Sequence, residues 1–311
     1  MLRILVLGAA AGGGFPQWNC NCPSCARARD GADSAAAPAL QASVAVSADG
    51  KSWFLLNATP DLRQQINDNP ELHPADGLRS SPIAGVILTN GDVDAVAGLL
   101  NLRESTPFTV YAHPRVLRIL ADNPIFNVLN PALVKRRELT LGRKEALVRP
   151  DGIPAGIDVE PFAVPGKVAL YLEDDSSSDG FGSEVGDTVG LRVSNAEDGS
   201  FFYFIANCVH LTPDIAQRVE GAPLVFFDGT LWRDDEMVTA NMSAKTGRRM
   251  GHISMGGPDG SIAAFAKLDV ARKMFLHINN SNPVLLNDTP ERAELEQAGW
   301  EVAKDGMEIV I

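Results

Sequence analysis

The sequence predicts an α/β fold, a layered sandwich made in one domain, and three observations point there. Apolar runs of strand length recur from RILVLG (3–8) to KMFLHI (273–278). Helix-like stretches alternate with several of them, which is how a layered α/β domain reads in sequence. No proline- or serine-rich linker interrupts residues 1–311, so a single domain is expected.

Taken in order, RILVLG runs into a glycine turn, GAAAGGG (8–14). A secretory signal would need a longer apolar core than Ile4 to Leu7, so a first strand is the better reading. The turn stands where a nucleotide fold puts its phosphate loop. It lacks both the Lys-Ser/Thr pair and a clean G-x-G-x-x-G before a helix, so it is read as backbone turning tightly beside a site. SVAVS (43–47) and SWFLLNA (52–58) follow as strands, then PDLRQQIND (60–68) as a helix. GVILT (85–89), the helix DAVAGLLNLRE (94–104) and FTVYA (108–112) complete the first half. The second half offers strands at VALYLE (168–173), VGLRVS (189–194), SFFYFIA (200–206), LVFFD (224–228) and KMFLHI, with helices TPDIAQRVE (212–220) and TPERAELEQAG (289–299). Three of these helices open at proline with an acidic residue in the first turn, where no amide is lost and the helix dipole favours negative charge. The polar, glycine-rich DDSSSDGFGSEVGD (174–187) is read as a mobile surface loop, with a lid as its other reading, and no internal repeat is evident.

Composition narrows the function. A net charge of −12 argues against a general nucleic-acid or anionic-membrane binder, either of which needs a broad basic face. No run of about 18 apolar residues is present, so no membrane span is expected, and a cytoplasmic location follows as an expectation.

Three of the four cysteines crowd into CNCPSC as Cys20, Cys22 and Cys25. Thiolates at i, i+2 and i+5 of one loop can converge on a tetrahedral ion, and sulfur ligands suit a structural zinc. Asn280, an acidic side chain, a water or a group from a second subunit are the candidates for the fourth position; three free buried thiols are the alternative. Cys208, in FIANCVH, is read as a small core residue.

The stretch TNGDVDAV (89–96) leaves an apolar strand and enters a helix. Asp92 and Asp94 stand two apart there and can share a pocket that Asn90 lines; alternatively Asp94 simply caps the helix. Asp228 ends the strand LVFFD, His252 sits between glycines in MGHISMGG, and His277 ends KMFLHI. Strand C-terminal ends are where open α/β sheets assemble sites. The other histidines, His73, His113 and His210, are read as surface residues.

Strand-TNGDVD-helix, GAAAGGG, FFDGT, GHIS and LHINN resemble, in order, landmarks of the metallo-β-lactamase superfamily, so an αββα sandwich with an added CxCxxC zinc loop is the fold this implies. WNCNCPSC resembles the extra cysteine motif of a branch that includes a phosphonate-pathway cyclic phosphodiesterase. GGGFPQWNCNC with DGTLWRDDEM and GHISMGGPDG is most similar to the coenzyme PQQ synthesis protein B family, over essentially the whole chain. The chain also departs from the superfamily. Its His-x-His-x-Asp-His positions read Asn90, Asp92, Asp94 and Ala95; a further His position reads Gly166 or Lys167; the bridging aspartate position reads Asn207. A hydrolytic centre holds a hydroxide between two cations, and too many ligands have changed for that. One metal at Asp92, Asp94 and His277, with Asn90 as an added candidate, fits better. Such an oxygen-rich set with one imidazole suits Fe(II), with manganese, magnesium and zinc as the other candidates.

The family resemblance implies pyrroloquinoline quinone (PQQ) biosynthesis by iron- and O2-dependent hydroxylation of the tyrosine ring of a Glu-Tyr unit cut from a precursor peptide. His252 would hydrogen-bond the phenol or carry its proton, and Asp228 would orient His252 or add a ligand. Lys245, Arg248 and Arg249, in KTGRRMGH, would hold substrate carboxylates, a solvated basic turn being the bland alternative. Trp18 and Trp232 are pocket-wall candidates, with core packing as their other reading. A non-enzymatic carrier of the quinone and a metal-dependent hydrolase are the competing functions. A homodimer, and contacts with other PQQ biosynthesis proteins, are expected from the resemblance.

Overall fold

The computed structural model describes residues 1–174, 176 and 182–311. Fourteen strands make two seven-stranded sheets among the described residues. The first sheet runs β14 (Glu308–Val310), β1 (Arg3–Gly8), β2 (Ser43–Ser47), β3 (Trp53–Leu56), β4 (Ile83–Leu88), β5 (Phe108–Ala112), β6 (Val134–Glu138). The second runs β13 (Trp300–Val302), β12 (Lys273–Leu276), β11 (Val225–Asp228), β10 (Phe201–Ile205), β9 (Val189–Asn195), β8 (Pro154–Ala163), β7 (Glu145–Val148).

Each sheet follows one plan. β14, β1, β2 and β3 pair antiparallel, and β3 to β6 parallel. β7 to β10 pair antiparallel, and β10 to β13 parallel. The duplication is one of topology, and the sequence carries no repeat to announce it.

Period-two alternation sorts side chains into three cores separated by the two sheets. Ile4 and Val6 of β1 meet Phe202, Phe204 and Phe226 between the sheets. Leu5 and Leu7 face outward instead, under Leu62, Val116 and Leu120 of the helices Leu62–Asp68 and Pro114–Asp122. On the far side Ile205, Val225 and Phe227 lie under Ile215, Phe265 and Leu295 of the helices Pro213–Val219, Ser261–Phe265 and Pro290–Gln297. The result is four layers, helix-sheet-sheet-helix. No helix among the described residues is long and apolar enough to cross a membrane.

One expected strand is absent. In VALYLE, Leu170–Leu172 form a 3-10 turn whose side chains are 56%, 46% and 45% exposed. β8 and β9 pair directly with each other from Ile157 to Ala163 and Val189 to Asn195, so no ladder is left for the chain between them. Strand propensity reflects available neighbours, and here there are none. Residues 175 and 177–181 of the expected surface loop lie outside the described residues.

Candidate functional site

The site gathers at the C-terminal ends of parallel strands from both sheets. The loop after β4 carries Asn90, Asp92 and Asp94, Asn207 follows β10, Asp228 closes β11, and His277 follows β12. His252 arrives from the 251–254 loop, held by a bond from the Ile253 amide to the Cys208 carbonyl at 2.6 Å. Ala11, Gly12, Asp92, Asp94, Lys167, Leu170, Asn207, Thr230, Lys245, Met250, His252, His277 and Asn279 enclose a cavity of about 300 Å³. Gly12 belongs to the glycine turn, and a Cβ there would lie 3.4 Å from Asp94 Oδ2, so the turn passes against that aspartate.

Asp92 takes the N-cap position of the short helix Val93–Val96 but its side chain caps nothing; Oδ1 accepts from the Leu170 amide at 2.9 Å. Val93 faces solvent between the two aspartates, which face the cavity. Asp94 does not cap the helix either, because Oδ2 meets His277 Nε2 at 2.9 Å. His277 adopts φ 57°, a left-handed conformation that costs a non-glycine residue about 1–3 kcal/mol. That backbone turn delivers its ring into the cavity.

Thr230 is the hub behind the imidazoles. Its Oγ1 lies 2.7 Å from Asp228 Oδ1, 2.9 Å from His252 Nδ1 and 2.9 Å from His277 Nδ1. Its single hydroxyl proton goes to the carboxylate, the shortest of the three contacts. Asp228, fully buried, also accepts from the amides of Thr230 and Cys208 and from His252 Nδ1 at 2.7 Å. Both of its oxygens are thereby committed to orienting neighbours. Nδ1 of each histidine then carries its hydrogen toward the protein, an assignment made from the network. Nε2 is the nitrogen left for the cavity. In a neutral His277 that lone pair would face the Asp94 carboxylate, so a cation, proton or metal, has to lie against both. The rings of His252 and His277 stack with centroids 5.2 Å apart.

Electrostatics follow this geometry. Burial would raise the Asp94 carboxyl, but the hydrogen bond and charge of His277 outweigh it and hold it below the usual range. Burial would lower His277, yet Asp94, with Asp228 and Asp92 beyond, raises it. Asp92 is pushed up by burial and by the charge of Asp94.

Asn90, the added candidate ligand, already has partners at both ends of its amide: Oδ1 accepts the Asp92 amide at 2.9 Å and Nδ2 donates to Asn207 Oδ1 at 2.9 Å. At Gly166 a Cβ would sit 2.3 Å from Thr188 Oγ1, leaving no room for a side chain, whereas Lys167 reaches the cavity wall. Of the basic turn, Lys245 lines the cavity, Arg249 bonds Glu173 at 2.8 Å, and Arg248 is exposed, away from the wall. Trp18 is 85% exposed and neither walls the pocket nor packs in a core, because the loop before the cysteines carries it outward; Trp232 is core. His73 and His210 are exposed as expected, but His113 is half-buried and caps the helix Pro114–Asp122 through Nδ1. Thr230 and the Leu170–Glu173 segment carry no sequence signal that would have singled them out.

Cys20, Cys22 and Cys25 lie within mutual reach as candidate ligands. Pro23–Asp30 is helical, with the Cys22 sulfur accepting the Cys25 amide at 3.5 Å, and Asn280 Nδ2 reaches Cys25 Sγ at 3.3 Å. Burial pushes Cys22 up to about 11. Cys208 is buried, its sulfur 3.2 Å from the His210 carbonyl oxygen.

The family model described as a beta-lactamase superfamily domain matches residues 52–278. "Coenzyme PQQ synthesis protein B" of Bradyrhizobium diazoefficiens is 55% identical over the whole of both chains. The protein of the same name from Gluconacetobacter diazotrophicus is 56% identical over 99% of each. Among solved structures, zinc-bound PqqB from Methylobacterium extorquens is 48% identical and matches with a TM-score of 0.93, over 99% of this chain and 100% of that one. A diphosphatase of the PhnP family, 19% identical with a TM-score of 0.69 over 99% of this chain and 96% of its own, shares the fold.

Proposed function

The chain belongs to the coenzyme PQQ synthesis protein B family of the beta-lactamase superfamily, and from that premise we propose that it acts in PQQ biosynthesis as a mononuclear, iron- and O2-dependent hydroxylase of the tyrosine ring in a Glu-Tyr intermediate. The observation that carries this reading is the Asn90–Asn207 pair. Two neutral amides, bonded to each other at 2.9 Å, stand at the positions to which the superfamily resemblance assigns an imidazole and the bridging carboxylate of a two-metal hydrolase. One cation then remains to be held, by Asp92, Asp94 and His277. Asp92, Asp94 and His277 line one cavity, and Thr230 fixes the His277 ring through Nδ1, so a divalent ion would replace the proton between Asp94 and His277 and draw Asp92 in. The side chains already within mutual ligand reach are Asp228, His252 and His277.

Iron bound there would supply redox chemistry and open positions for O2 and substrate. The chain's own residues do the rest. The Asp228 carboxylate holds the His252 ring through Nδ1, so Nε2 of His252 is aimed at the cavity, where it hydrogen-bonds the phenol and moves its proton. Lys245 at the wall attracts the negatively charged substrate into an otherwise acidic protein. One oxygen atom of O2 enters the ring and the other leaves as water, using two electrons from an external reductant and two protons.

The test is anaerobic loading with Fe(II), then O2 and a Glu-Tyr peptide, with products read by mass spectrometry. A product heavier by one oxygen atom is expected. Two metal ions per pocket with phosphodiester cleavage would select the hydrolase, and tight quinone binding without oxygen uptake the carrier.

A further inference from the structure

We propose that Lys167 and Lys245 form a carboxylate-binding subsite at the cavity wall, and that Glu173 occupies it as a built-in ligand which an incoming carboxylate displaces. The inference rests on the reading above only in placing the ligand in this cavity. Both lysines line it beside Asp94, His252 and His277. Both also aim at one carboxylate: Lys167 Nζ lies 2.8 Å from Glu173 Oε1, and Lys245 Nζ lies 3.8 Å from Oε2. Arg249 bonds the same Oε2 at 2.8 Å, so three cationic side chains converge on a single acid.

The segment carrying that acid is anchored by polar contacts and not by apolar burial, the Glu173 side chain itself being only 7% exposed. Leu170–Leu172 buries none of its residues. It is held instead by the Leu170 amide on Asp92 Oδ1 at 2.9 Å, the Tyr171 hydroxyl on the Gly91 carbonyl at 2.6 Å, and the Glu173 cluster. Segments tied by polar contacts without buried apolar area open at low free energy. The Lys167 side chain is only 15% exposed, and a cation so enclosed needs an anion against it whichever state the segment adopts. A ligand carboxylate can replace Glu173 there with like charge and like hydrogen bonds. Opening the strap also frees Asp92 Oδ1 from Leu170, which ties anion recognition to a candidate metal ligand.

Calorimetric titration of the metal-loaded protein with glutarate, a plain dicarboxylate, tests this without turnover. Removing a competitor that fills the site nine times in ten should tighten apparent affinity by about tenfold. Glu173→Gln is therefore expected to bind glutarate more tightly than wild type, and Lys167→Gln about tenfold more weakly. If Glu173 only braces the fold, Glu173→Gln binds equally or less well, and the proposal is overturned. Wild type offers a second reading: glutarate should speed hydrogen exchange at the Leu170–Glu173 amides, whereas unchanged or slower exchange counts against displacement. Glutarate binding as expected with no oxidation of Glu-Tyr would leave the subsite standing and remove the hydroxylase. Oxidation of Glu-Tyr with no response to Glu173→Gln would do the reverse.

Discussion

Replacing Thr230 by valine removes one hydroxyl and should loosen both imidazoles at once. Thr230 is buried, and its Oγ1 serves Asp228, His252 and His277 within 2.9 Å. A lost hydrogen bond to an ionised carboxylate costs about 1.5–3 kcal/mol, and a stranded buried Nδ1–H on His277 about 1–3 kcal/mol. The added methyl returns about 0.8 kcal/mol. His252 keeps Asp228, and the Thr230 amide still serves that carboxylate at 3.0 Å. The net expectation is a loss of about 2–5 kcal/mol in urea unfolding at unchanged slope. Because an orienting partner of a metal-binding imidazole is gone, metal affinity by chelator competition should fall about 10- to 100-fold. Thr230→Ser keeps the hydroxyl and should restore metal affinity. Wild-type metal affinity in Thr230→Val, or failure of serine to rescue it, would refute the hub.

His252→Gln should retain the metal, by elemental analysis, and lose turnover; loss of the metal would make His252 a ligand instead of a proton carrier. In metal-free protein, Cys20 should alkylate ahead of Cys22 and Cys208. Burial acts to raise Cys20, but hydrogen bonds from Cys22, Cys25 and Asn280 outweigh it and lower the thiol, while burial raises the other two. Zinc should protect the cluster, and peptide mapping reads the order. Arg249, then Lys167 and Lys245, hold the Glu173 carboxyl down at about 2, against an ordinary 4.5. A depressed folded value stabilises above the unfolded one and is lost as pH falls through the folded one, so the melting-temperature gap between wild type and Glu173→Gln should be full above about 4.5 and close toward 2.

Much of the site was legible because its residues end apolar strands. Asp228 and His277 stand at strand ends whose run length gives them away, and the Asp92/Asp94 turn breaks a strand before a helix. The roles were less legible. Asn90 looks like a candidate ligand until its Oδ1 is seen to accept the Asp92 amide while its Nδ2 reaches Asn207, 117 residues away. VALYLE reads as a strand because the pattern cannot report that β8 and β9 have already paired. Likewise Arg249 reads as a substrate clamp, since its partner Glu173 lies 76 residues earlier on that misread segment. Lys167, named in sequence only as a place where histidine is missing, proves to line the cavity.

The shared plan of the two sheets leads to a last prediction. β5 and β12 hold the same place in their sheets, and each is followed at once by a histidine. His113 turns to cap a helix, while the left-handed backbone at His277 turns its ring into the cavity. Asp92 and Asp94 hang from the first sheet and His277 from the second, so an ion held by all three ties the two halves of the molecule together. A ligand that binds only the folded state adds about 2.7 kcal/mol at a hundredfold excess over its dissociation constant. Thermal unfolding should therefore rise with added Fe(II) or zinc in wild type, after the cysteine site has been filled with zinc. Asp94→Asn, which keeps the side chain's shape but removes its charge, should lose that increment. An equal rise in both proteins would mean that the ion stabilises through some other donors, and the bridging role of Asp94 would have to be abandoned.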